Sequence, residues 1–165
     1  MNSNRPADLS NCVDTKELFE AFEEAGTGVL PRAVIEDLVA EMIEQSTLQP
    51  VREIRQNQPL SQVLRHKLTS LLEQTTLDKG QLVNFIDSMR NSVHLTQGPP
   101  GTGKSYLGVV VVRALMVIRS LWIMQNPSVG RPPILVLSYK NHATDEFLSD
   151  LVKAEPNTFS TRPTY

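Results

Sequence analysis

Val93-His94-Leu95-Thr96 lead, through Gln97, into Gly98-Pro99-Pro100-Gly101-Thr102-Gly103-Lys104-Ser105, and Tyr106–Met124 follow as one apolar run. The middle eight residues fit G-x-x-x-x-G-K-[ST] without a gap. Each position has a physical reason. Glycines let the chain turn tightly and gather successive backbone N–H groups into a nest for phosphate oxygens. A helix starting at Lys104 turns its positive end toward the same point. The Lys104 ammonium reaches the outer phosphates as a point charge, and the Ser105 hydroxyl is placed to ligate Mg²⁺. Thr102 is mid-loop and is expected to present its backbone N–H.

The flanks carry the fold argument. The pattern predicts a short strand at Val93–Thr96, a glycine-rich turn, a helix over Tyr106–Met124, a polar loop at Gln125–Pro133, a second strand at Ile134–Leu137 and a last helix from about Thr144 to Lys153. That alternation is the grammar of a parallel α/β sheet, so the expected fold class is α/β. The apolar run is long enough to suggest a membrane span. Arg113 and Arg119 interrupt it, and each would cost roughly 2.5–3.5 kcal/mol near a bilayer centre. Val109–Val112 are poor helix formers. Burial outweighs that preference, so the run is read as a packed helix and no membrane partner is expected.

Upstream, the texture is helical. Residues 1–13 are polar and aperiodic and read as a disordered N-terminus. Asp14 and Glu17 form a helix start ahead of Leu18, Phe19 and Phe22, and Gly26 and Gly28 end that helix. Pro31 opens another, with Val34, Ile35, Leu38, Val39, Met42 and Ile43 at helical spacing. A third follows Pro59, striped by Leu60, Val63, Leu64, Leu68, Leu71 and Leu72. Residues 14–76 thus form a helical region ahead of 77–165. Asp78 and Gln81 then make a D-x-x-Q start for Leu82, Phe85, Ile86 and Met89. Residues 23–34 have the outline of a calcium hand, but Ala25 and Val34 stand where it needs oxygens.

Composition narrows the classes. The chain of 165 residues is 40% hydrophobic and 21% charged, which allows a real core. The single cysteine, Cys12, excludes an internal disulfide framework and a Cys-rich zinc module. The start lacks an apolar run, so an intracellular protein, cytoplasmic or nuclear and not secreted, is expected. Residues 1–60 hold 5 Lys/Arg against 11 Asp/Glu, and residues 61–165 hold 11 against 7. A basic second half suits a polyanion, though a solvated face gives the same surplus.

Three features in order resemble superfamily 1 helicases of the up-frameshift-like branch, and within it the subgroup with zinc-finger regions elsewhere in the chain. They are Leu77-Asp78-Lys79-Gly80-Gln81, the lead Leu95-Thr96-Gln97 into the octet, and Ser138-Tyr139-Lys140-Asn141-His142-Ala143-Thr144-Asp145-Glu146-Phe147-Leu148. The resemblance spans about residues 77–153. It implies an incomplete RecA-like ATP-binding domain, a partial P-loop parallel sheet with helices, over 77–165. It implies that Gln81 is the adenine-reading glutamine of a Q motif. Gly98, Pro99, Pro100, Gly101, Thr102, Gly103, Lys104 and Ser105 would hold ATP, with Lys104 catalytic and Ser105 on Mg²⁺. Motif Ia would touch single-stranded RNA or DNA through Ser138, Lys140 and Asn141. Asn141, Ala143 and Asp145 match that motif, while Tyr139 and Lys140 stand where many members have Pro and Ser. Lys140 is a phosphate contact or a solvated loop lysine.

A helicase also needs an apolar strand ending in Asp-Glu and arginines from a second RecA-like domain. Neither is found in this sequence, so a fragment inactive on its own is expected. Two other readings compete. An AAA+ ATPase should carry its acidic strand near Ala154–Tyr165, which has none. A non-enzymatic nucleotide-binding module that docks a partner is the third.

Overall fold

The structure is a computed structural model and describes residues 30–159 together with Glu20 and Glu23. The expected terminus 1–13, the helix begun at Asp14 and most of the calcium-hand outline lie outside the described residues. Pro31 sits just ahead of α1 (Arg32–Gln45), where the missing N–H of proline costs nothing. Its inner stripe is Ile35, Leu38, Val39, Met42 and Ile43. A short helix not foreseen from the sequence follows, α2 (Gln49–Gln56), burying Val51 and Ile54. Asn57 ends it and caps the next, its Oδ1 accepting from Leu60 N at 3.4 Å. That helix is α3 (Gln58–Glu73), buried along Leu64, Leu68, Leu71 and Leu72. Val63 turns outward into a groove instead of joining the stripe.

Asp78 and Gln81 form the capping box anticipated for α4 (Lys79–Arg90). The side chain of Asp78 accepts from Gln81 N at 2.8 Å, and the Gln81 side chain accepts from Asp78 N at 3.0 Å. The other end of α4 is held from a distance. Ser46 Oγ donates to Met89 O at 2.7 Å, and both the N–H and the hydroxyl of Thr47 donate to Arg90 O at 2.7 Å. Terminal carbonyls that would otherwise depend on water are thus met by the turn after α1. The exit of the chain toward residue 98 is fixed by this contact.

The long apolar run forms α5 (Lys104–Gln125), which packs on α2, α3 and α4. By length and composition it is the one helix among the described residues able to cross a membrane. Here Leu107, Val110, Ala114, Ile118 and Leu121 instead join the cluster that includes Leu38, Ile54, Leu68 and Phe85. A 3-10 turn at Pro127–Val129 follows, then α6 (Asn141–Ala154) and α7 (Pro156–Phe159). Helix α6 lies on α5 where Gly108 leaves room for the Phe147 ring, and Arg113 Nε bonds Glu155 Oε1 at 2.6 Å.

The described residues contain no strand, and this corrects the expected α/β class. They form an all-helical fold, not a partial RecA-like parallel sheet. Val93–Thr96 and Ile134–Leu137 run without ladder hydrogen bonds. Most of their apolar side chains face solvent, Val93 being 82% exposed, Leu95 88%, Leu135 75% and Leu137 88%, while Ile134 and Val136 are half-buried. The reason is that β propensity permits an extended chain but a ladder requires a neighbour's N–H and C=O groups. Neither segment has such a neighbour among the described residues. Helix α5 is accordingly a helix packed on helices, not on a sheet.

One interhelical contact gives a pH prediction. Glu53 of α2 accepts from Trp122 Nε1 at 2.6 Å and Asn126 Nδ2 at 3.1 Å through Oε2, and from Gln49 Nε2 at 2.8 Å through Oε1. The bond from Trp122, then that from Gln49, hold the carboxyl below its ordinary value of 4.5. A depressed folded pKa gives stability present above the unfolded value and lost as pH falls through the folded one. Acidification below about pH 4.5 should therefore release the Trp122 indole, the only tryptophan. Its emission should shift red, and Glu53→Gln should flatten that acid limb. A pH-independent emission maximum in the wild type would remove this clamp from the account.

Candidate nucleotide site

The loop between Gly98 and Ser105 is built by its glycines and closed by its lysine. Gly101 has φ +82° and Gly103 has φ +73°, both in the left-handed region that glycine enters without steric cost. Gly103 is also the N-cap of α5 and offers no side-chain acceptor, so no side chain caps the first N–H groups of a 22-residue helix. Lys104 Nζ folds back over the loop, donating to Gly98 O at 2.7 Å, Pro99 O at 2.5 Å and Thr102 Oγ1 at 3.4 Å. Thr102 Oγ1 donates to Pro99 O at 2.9 Å. Pro100 is exposed at the loop tip.

Helix α4 supplies the wall. Gln81 Nε2 donates to Thr102 O at 3.2 Å, so the glutamine singled out from the sequence meets the loop across 21 positions of chain. A Cβ on Gly103 would overlap the Gln81 amide. Tyr106 completes the join, its hydroxyl accepting from Thr76 N at 2.9 Å just ahead of α4. A cavity of about 230 Å³ lies between, lined by Asp78, Gln81, Asn84, Thr96, Gln97, Gly98, Lys104 and Leu107 among others. That is smaller than a typical whole-ligand pocket of about 300–1,000 Å³ and suits one part of a ligand.

These features fit a polyphosphate. The lysine ammonium stands in the loop mouth, two glycines hold the positive φ such a turn needs, and the helix end is open. Fit to Mg²⁺ rests on one oxygen. Ser105 is exposed and lines a separate cavity of about 650 Å³ with His142, Asp145, Glu146 and Asp150 of α6. No cluster of three or more His, Cys, Asp or Glu fit to hold a metal occurs among the described residues. A Mg²⁺ here would depend on Ser105, phosphate oxygens and water, which is how that ion is commonly held.

Ser138, Lys140 and Asn141 come together at the start of α6, all exposed. Ser138 Oγ accepts from Lys140 N at 3.3 Å, and Lys140 occupies the N-cap position. His142 pairs with Glu146 at 3.2 Å one turn on. Asn84 was not anticipated. Its signal was available, since it follows Gln81 by one helical turn.

The chain is 37% identical over 83 residues to NFX1-type zinc finger-containing protein 1 of Homo sapiens, covering 50% of this chain and 4% of that protein. The homolog of that protein in Caenorhabditis elegans is 32% identical over 81 residues, 49% of this chain and 3% of its own length. Helicase required for RNAi-mediated heterochromatin assembly 1 of Schizosaccharomyces pombe is 33% identical over 76 residues, 46% of this chain and 7% of that protein. The alignments thus span a small fraction of each relative. No protein-family model matches the chain, and no solved structure matches it.

Proposed function

We propose that this chain carries the ATP-binding part of a nucleic-acid helicase. The observation that supports this most is the Lys104 ammonium lying in the mouth of a loop with two left-handed glycines, with Gln81 abutting that loop. Similarity across 46% of the chain to a protein named as a helicase favours the same class. In this reading the loop amides and Lys104 take the phosphates of ATP, and Gln81 takes the base. Mg²⁺, when bound, would neutralise phosphate charge, with Ser105 contributing a hydroxyl. Ser138, Lys140 and Asn141 take a backbone phosphate of single-stranded RNA or DNA, where a helix start favours an anion.

Calorimetric titration of the purified chain with ATP, with and without Mg²⁺, tests the core of it. One saturable site is expected, tightened by Mg²⁺ and competed by inorganic tripolyphosphate. Heats no larger than dilution at millimolar nucleotide would sink the proposal.

A further inference from the structure

Gln81 and Asn84 stand one turn apart on α4, and both line the cavity beside the phosphate loop. Each side-chain amide is pinned by backbone, and the pinning decides which end is left for a ligand. Gln81 Oε1 accepts from Asp78 N at 3.0 Å while Nε2 donates to Thr102 O at 3.2 Å. A backbone N–H requires an acceptor and a carbonyl requires a donor, so the amide keeps this orientation. The second hydrogen on Nε2 remains for a ligand. Asn84 Nδ2 donates to Gly80 O at 2.8 Å. Its Oδ1 makes no hydrogen bond among the described residues and is left as an acceptor.

The wall therefore offers one fixed donor and, one turn away, one fixed acceptor. Adenine presents a matching edge, with N7 accepting and the N6 amino group donating. Guanine presents N7 and O6, two acceptors, and would set O6 against the Asn84 carbonyl. We propose that Asn84 is the specificity-determining residue of this site and selects adenine over guanine. The backbone N–H of Asp78 holds Gln81 in its donor orientation. This inference rests on the reading of the loop as a triphosphate site.

Displacement of a fluorescent ATP analogue by ATP, GTP and inorganic tripolyphosphate tests it on the full chain. Wild type should prefer ATP to GTP by about tenfold or more, the discrimination a well-placed pair supplies. Asn84→Ala should bring that ratio close to unity while the inhibition constant of tripolyphosphate, which has no base and is corrected for the weaker probe, stays where it was. Alanine is the better helix former, so α4 should survive, as circular dichroism would verify. Asn84→Lys puts a donor in place of the acceptor and should turn the preference toward GTP. Its attraction to the triphosphate acts on both nucleotides alike and cancels in the ratio. A wild-type ratio near unity, or one unmoved by Asn84→Ala while tripolyphosphate still competes, would overturn the role of Asn84 and leave the phosphate reading standing. Failure of every competitor, with no binding of the analogue, would remove both.

Discussion

Lys104→Ala should weaken ATP binding by about 10- to 150-fold, the equivalent of one charge-assisted hydrogen bond of about 1.5–3 kcal/mol. The ammonium now rests on Gly98 O and Pro99 O, which are neutral acceptors. A phosphate oxygen carries full charge and makes the stronger bond, so the lysine exchanges carbonyls for ligand. Of the loop carbonyls it leaves, that of exposed Pro99 can turn to water and still accepts from the Thr102 hydroxyl, and that of Gly98 is half-buried. Loss of the side chain should therefore change folding stability by no more than about 0.5 kcal/mol. Calorimetry for affinity and thermal melting for stability separate the two. Unchanged ATP affinity in a well-folded variant would show that Lys104 does not contact the ligand.

Phe85→Ala should cost about 3–5 kcal/mol of stability. Phe85 is 0% exposed and faces inward from α4, among the buried residues of α1 and α5. Removing the ring leaves a void that close-packed neighbours fill only in part. Domains of this size hold about 5–15 kcal/mol in all, so the variant should melt far earlier or fail to fold. Urea titration followed by circular dichroism measures the loss. A change below about 1 kcal/mol would mean that the inner face of α4 is not packed as described. Because α4 carries Gln81 and Asn84 and is capped by Asp78, nucleotide should partly restore the folded population if the site is as proposed.

What the sequence reveals here is local, and what it conceals is not. The stripes from Ile35 to Ile43 and from Leu64 to Leu72 are periodic, and the helices stand where that period put them. The Asp78–Gln81 box spans three positions and is visible in the order of residues alone. Helix α2 escaped notice because it is eight residues long and opens with Pro50 inside a polar stretch. The segments 93–96 and 134–137 misled for a deeper reason. Val93, Leu95, Leu135 and Leu137 have the side chains of strands, yet pairing is a property of two segments, and neither is paired. At the site, the octet was legible as a glycine-built turn, and Gly101 and Gly103 do hold positive φ. A resemblance singled Gln81 out, but neither it nor the spacing foretold the bond to Thr102. The retreat of Lys104 onto its own loop and the pinned amide of Asn84 depend on where atoms settle, which no pattern of residue types records.

Gly101 and Gly103 share a backbone conformation but not a fate under mutation. Nothing lies within 4 Å of a Cβ at position 101, and asparagine tolerates the left-handed region better than other residues bearing a Cβ. Position 103 is constrained twice, by its torsion and by the Gln81 amide against it. Selection acting on the fold alone would admit little beyond asparagine at the first codon, where the torsion alone resists, and less at the second. A side chain at 103 would have to push the Gln81 amide off Thr102, so change at the one site should be found together with change at the other.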